Sequence, residues 1–160
     1  MKRARQATAS KTQATFTDPL AEVLRPGQSI ELLKELHILT RDGKLNQDSR
    51  RKLKQVFHLC QFIEPLLDEV LGQQDTLTLA DHGAGKSYLG FILYDLFLKD
   101  RPDAHIYGVE TRDELVEKSR ELAKRLGFDR MSFLNETVAE SITAETLPAR
   151  IDIVTALHAC

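Results

Sequence analysis

The stretch Thr76-Leu-Thr-Leu-Ala80-Asp81-His82-Gly83-Ala84-Gly85-Lys86-Ser87-Tyr88 is where the chain's chemistry concentrates. An apolar strand-like run ends in an acid, passes through Gly-x-Gly and enters a helical pattern, the layout of a nucleotide-binding loop. The glycines permit a tight turn with backbone close to a ligand, and a helix start offers unpaired N–H groups. A second strand-like run, His105-Ile-Tyr-Gly-Val109, ends in Glu110. A carboxylate at that strand tip can accept both hydroxyls of a ribose at once, which selects an unphosphorylated ribose.

Two other ligand readings compete. A P-loop needs Gly-x-x-x-x-Gly-Lys-Ser/Thr; Gly85-Lys86-Ser87 supplies its second half, but Ala80 stands where the first Gly belongs. The later strand-like run Ile151–Leu157 also lacks the terminal acid that would hold magnesium. A dinucleotide fingerprint needs Gly-x-Gly-x-x-Gly, and Tyr88 occupies the third glycine position, where a bulky side chain keeps the helix from approaching the strand.

The third pattern, Asp-x-Gly-x-Gly after one strand and an acid after the next, resembles the class I S-adenosylmethionine methyltransferases. The segments Asp81-His-Gly-Ala-Gly-Lys-Ser-Tyr-Leu-Gly90, Tyr107-Gly-Val-Glu-Thr-Arg-Asp-Glu-Leu-Val-Glu-Lys118 and Thr155-Ala-Leu-His-Ala-Cys160 look like methyltransferase-domain proteins of the methyltransferase-like-25 group and its bacterial relatives. That likeness covers about residues 19–160. It implies S-adenosyl-L-methionine as cofactor, with Asp81, Gly83 and Gly85 in the first motif and Glu110 in the second. Asn135 and Glu136 fall where an adenine-contacting residue usually lies. Ser87 replaces a possible third glycine of the first motif. The implied fold is α/β, a Rossmann-like sheet of which about four parallel strands are present, preceded by a helical region. The implied activity is methyl transfer to an acceptor, RNA or protein rather than a small molecule.

The acceptor would meet the methyl group at the end of the fourth strand, near Leu157, His158, Ala159 and Cys160. His158 is the catalytic candidate, able to orient or deprotonate an acceptor. Cys160 has no activating partner evident. A basic cluster, Arg41, Lys44, Arg50, Arg51, Lys52 and Lys54, holds only Asp42 and Asp48 among it. It reads either as a track for an RNA backbone or as the solvated face of an amphipathic helix. No histidine or cysteine spacing suggests a metal.

The elements that must position these residues alternate. Residues 1–17 are basic, without an acid or an apolar core, and read as a disordered arm. From 18 to 73 the pattern is helical. Ser29 caps a short helix, and Asp48 or Ser49 starts a long one that Pro65 should kink or break and Gly72 should stop. Residues 74–160 form the Rossmann-like part, with strands at 76–80, 105–109, 131–134 and 151–157. Helices are expected over 87–99 and from Thr111, where Thr-Arg-Asp-Glu has capping-box spacing. Strands one and four should be neighbours, leaving strand four as the edge.

Composition bounds the rest. The 160 residues carry 22 Lys+Arg against 24 Asp+Glu, so no global charge draws the chain to nucleic acid. Two cysteines far apart exclude a disulfide scaffold and suit a reducing cytoplasm. No apolar run reaches the ~20 residues of a membrane helix. The chain ends flush with a strand-like run, so we expect the N-terminal portion of a longer domain, and a non-catalytic fragment is the other functional class.

Overall fold

In the computed structural model, residue 20 and residues 22–157 are described. The arm at 1–17, His158 and Cys160 therefore lie outside the described residues. Four strands, β1 (Leu77–His82), β2 (Ala104–Glu110), β3 (Met131–Asn135) and β4 (Ile153–Thr155), make one sheet in the order β3-β2-β1-β4. Every pairing is parallel, and β4 flanks β1 at the edge. Parallel neighbours require crossovers, and α3 (Tyr88–Leu93) and α4 (Asp113–Leu126) provide two of them. The architecture is the expected Rossmann-like α/β sheet.

The helical region packs onto this sheet through one shared core. Helix α1 (Ile30–Glu35) starts at Ser29, whose hydroxyl accepts from Leu32 N at 3.1 Å. It buries Leu32 and Leu33 in the same apolar cluster as Leu77, Leu79, Phe91 and Ile106. Asp95, itself buried, receives the Ser29 amide at 2.8 Å and the Lys99 ammonium at 2.9 Å, tying the lead-in to the first crossover. Glycine matters in mid-sheet: a Cβ on Gly108 would stand 2.9 Å from the Phe133 ring.

Several boundaries differ from the sequence expectations, for local reasons. Helix α2 (Gln47–Gln73) is capped by Asn46, not by Asp48 or Ser49, because Asn46 Oδ1 takes both the amide and the hydroxyl of Ser49. Pro65 neither kinks the helix to a stop nor breaks it. It sits on the exposed side, where water can serve the carbonyl it leaves unpaired. Gly72 is inside the helix, and Gln74 closes it with its amide on the Val70 carbonyl. The first crossover changes to a π-helical turn over Tyr94–Leu98. Arg130 clasps the end of this turn, donating to the carbonyls of Leu98, Lys99, Arg101 and Ala104.

The capping box expected at Thr111 does not form. Arg112 is the N-cap of α4 without a side-chain cap bond, and the Thr111 hydroxyl turns back to Glu110. A capping box exists instead in α5 (Val138–Thr143), a helix the sequence reading left out, between Thr137 and Glu140. The fourth strand is three residues rather than seven, and it pairs with β1. Asp152 anchors its start by accepting the Thr78 amide at 2.9 Å.

Candidate functional site

The carboxyl ends of β1, β2 and β3 open into a cleft of about 910 Å³. Ligands of open parallel sheets bind at this end, where loops can vary without disturbing the strands. One wall is the loop after β1, comprising Gly83, Ala84, Gly85 and Lys86. Asp81, Glu110, Arg112 and Glu136 contribute polar groups. Lys52, Gln55, Val56 and Leu59 of α2, with Ile38, close it from the side of the helical region. Tyr88 joins that wall to the loop, its hydroxyl donating to the Leu36 carbonyl.

The loop geometry explains its glycines. Gly83 and Gly85 have φ of 64° and 59°, the left-handed region that a Cβ makes costly. Ser87 shares that region at φ 60°. Its hydroxyl is buried, accepts from Ser119 Oγ at 3.2 Å, and is not part of the cleft wall. A P-loop Ser must face metal and phosphate. This one is committed to α4.

Asp81 and Glu110 stand on neighbouring strands, Glu110 two residues beyond the position paired with Asp81. Asp81 is buried, and its Oδ1 accepts from Thr155 Oγ1 at 2.7 Å across the β1–β4 pair. Burial pushes its carboxyl up from the ordinary range, with the Thr155 bond opposing. Such a group gains most from a cationic ligand atom, which restores the charged form.

Glu110 is also buried but lies among donors. Its Oε2 accepts the Gly85 amide at 2.7 Å and Arg112 Nη2 at 3.2 Å, while Oε1 accepts the Arg112 amide and Nε, each at 3.0 Å. The Arg112 side chain above all, then the two amides, hold the carboxyl down to about 2 despite its burial. A depressed folded value means the group stabilises the fold above its ordinary value of 4.5, and this is lost as pH falls toward about 2. The urea midpoints of the wild type and Glu110→Gln are therefore expected to converge below pH 4.5. A gap that holds constant in acid would refute this assignment.

Of the residues singled out by sequence, Asp81, Gly83, Gly85, Glu110 and Glu136 line the one cleft. Asn135 is not in its wall and donates to Asp113 Oδ1 at 2.9 Å. Of the basic cluster, Lys52 alone lines the cleft; it donates to the His37 carbonyl and pairs with Asp48, which also holds Arg51. Arg41, Lys44, Arg50 and Lys54 are exposed. Not singled out by sequence were Arg112, Thr155 and the α2 residues Gln55, Val56 and Leu59. Arg112 stood beside Glu110 in plain view, but adjacency alone does not distinguish an ion pair from a solvated arginine. Among the described residues no His/Cys/Asp/Glu group could hold a metal, and no helix is long and apolar enough to cross a membrane.

A family model described as a methyltransferase domain matches residues 51–160. No curated protein matches significantly. Among solved structures, a Podospora anserina methyltransferase with SAH bound is similar at 16% identity and a TM-score of 0.48, over 79% of this chain and 48% of that one. The magnesium protoporphyrin IX methyltransferase of Synechocystis, also with SAH, gives 16% and 0.46, over 79% of this chain and 51% of that one. A precorrin-6y C5,15-methyltransferase of Geobacter metallireducens gives 21% and 0.44, over 54% and 42%. The chain thus spans about half the length, or less, of these structures.

Proposed function

The chain belongs to the methyltransferase-domain family, and on that premise we propose that its cleft binds S-adenosylmethionine for methyl transfer to an acceptor, with RNA the favoured class. The observation that carries the reading is the buried Glu110 at the tip of β2, facing the glycine loop whose Gly85 amide it holds. The cavity is of the size that takes a nucleoside-based ligand.

The residues fit that ligand in chemical terms. Glu110 would take the ribose hydroxyls, Asp81 the ammonium of the amino-acid portion, and the Gly83–Gly85 backbone would pass close to both. Glu136 lies at the same cleft for the adenine side, and Asn135, the last residue of β3, stands behind it and holds Asp113 at the start of α4. The cofactor supplies a methyl group already activated on a sulfonium. The chain's part is to exclude water and align the acceptor atom with it, which is where orientation contributes most. His158 remains a proposal for handling an acceptor proton.

For the acceptor, the supporting observation is that Lys52 lines the cleft on the same helix as Arg50, Arg51 and Lys54. A basic helix beside a donor site suits a phosphate backbone. Residues 18–73 would then serve as a cap and guide for the Rossmann-like part at 74–160, in keeping with the likeness to the methyltransferase-like-25 group.

The test is calorimetric titration of the chain with adenosylhomocysteine and, separately, with magnesium-ATP. The expected result is binding of the first alone. Binding of ATP alone would sink the reading in favour of a nucleotide-hydrolase-type loop.

A further inference from the structure

Glu110 has no acceptor capacity left. A carboxylate offers about four lone-pair sites. Two donors on Oε1 and two on Oε2 fill them, with the Thr111 hydroxyl at 3.4 Å as a marginal fifth. Two of the four are backbone amides, of Gly85 and Arg112, fixed by the loop and by the start of α4. The other two are Nε and Nη2 of the Arg112 side chain, which is 62% exposed. Arg112 has a second carboxylate, Glu114, near enough to act on its charge.

We propose that Arg112 is a gate on the donor site: its guanidinium occupies the ribose position on Glu110 and swings out when the donor enters. This rests on the reading of the cleft as a donor site. The exchange is matched, two N–H donors leaving and two ribose O–H donors arriving, so Glu110 stays satisfied throughout. Four filled sites leave no way to add the hydroxyls while the guanidinium stays. Arg112 therefore competes with the donor and sets its affinity, without touching the reacting methyl group.

The experiment compares the full chain with Arg112→Met and Arg112→Lys by adenosylhomocysteine titration, and follows the wild-type Arg112 Nε–H by NMR. Arg112→Met is expected to bind about fivefold tighter, the scale of an ion pair with one exposed partner. Arg112→Lys should return part of the way toward wild type. The Nε–H should be protected from exchange without ligand and lose that protection at saturation, a response that a purely structural arginine would not give. Weaker or unchanged binding by Arg112→Met, or an Nε–H still protected in the complex, overturns the gate while leaving the donor site standing. Failure of all three proteins to bind overturns the donor site and the gate with it.

Discussion

Alanine at position 110 is expected to lower affinity for adenosylhomocysteine about 20-fold. Two ribose hydroxyls donating to a buried carboxylate at roughly 1.5 kcal/mol each amount to about two decades, and removal of the competing Arg112 contact returns about fivefold of that. Part of the loss comes through the loop, because the Gly85 amide, 2.7 Å from Glu110 Oε2, would lose its acceptor. Glu110→Gln should fall nearly as far, since an amide nitrogen would face the Gly85 and Arg112 donors with hydrogens of its own. Titration calorimetry on both variants checks this. Affinity within twofold of wild type would mean that the ribose sits elsewhere. The direction is opposite to that for Arg112→Met, so the pair separates the acceptor of the ribose from its competitor.

Phe91→Ala is expected to cost about 3–5 kcal/mol of folding stability. Phe91 is fully buried, stacks on Phe133 with centroids 5.7 Å apart, and lies 6.3 Å from Phe128. It stands on α3, directly after the glycine loop, with Phe133 on β3 beneath it. The contact thus holds the loop's helix against the sheet. For a domain with a typical 5–15 kcal/mol in total, the loss is a large fraction. Urea unfolding measures it directly, and a loss below about 1 kcal/mol would show that neighbouring side chains refill the space. Saturating adenosylhomocysteine should recover part of the midpoint, because a ligand bound to the folded state alone stabilises it.

The strands and the loop were legible because their signals are local. Apolar β-rich runs, the Asp81–Gly85 pattern and the acid after Gly108-Val109 are each contained in a few consecutive residues. The neighbour relation of β1 and β4 followed from the fold that the motif implied. Two kinds of feature could not be read: which of several near neighbours wins a local contest, and whatever depends on distant segments meeting. Asn46 outcompeted Asp48 because capping is decided by which side chain reaches Ser49, and Thr111 lost its box because Glu110 drew the hydroxyl away. Pro65 was tolerated because it faces water, and exposure is not a property of one residue's type. Arg125 follows Glu121 by four residues on α4, the spacing of a helical ion pair, yet it pairs with Glu35 of α1 at 3.1 Å. The α2 side of the cleft carries no motif at all: Gln55, Val56 and Leu59 are ordinary helical residues that matter through where the helix lies.

The two acids of the cleft are held by connections of unequal span. Glu110 meets the Gly85 amide across 25 positions of chain, whereas Asp81 meets Thr155 across 74. Closing the longer loop costs about 1 kcal/mol more in chain entropy. It is secured by a strand of three residues. During folding the ribose side can therefore assemble from one β-loop-helix-β unit, while the Asp81 side must wait for β4 to arrive. The cleft has an early half and a late one.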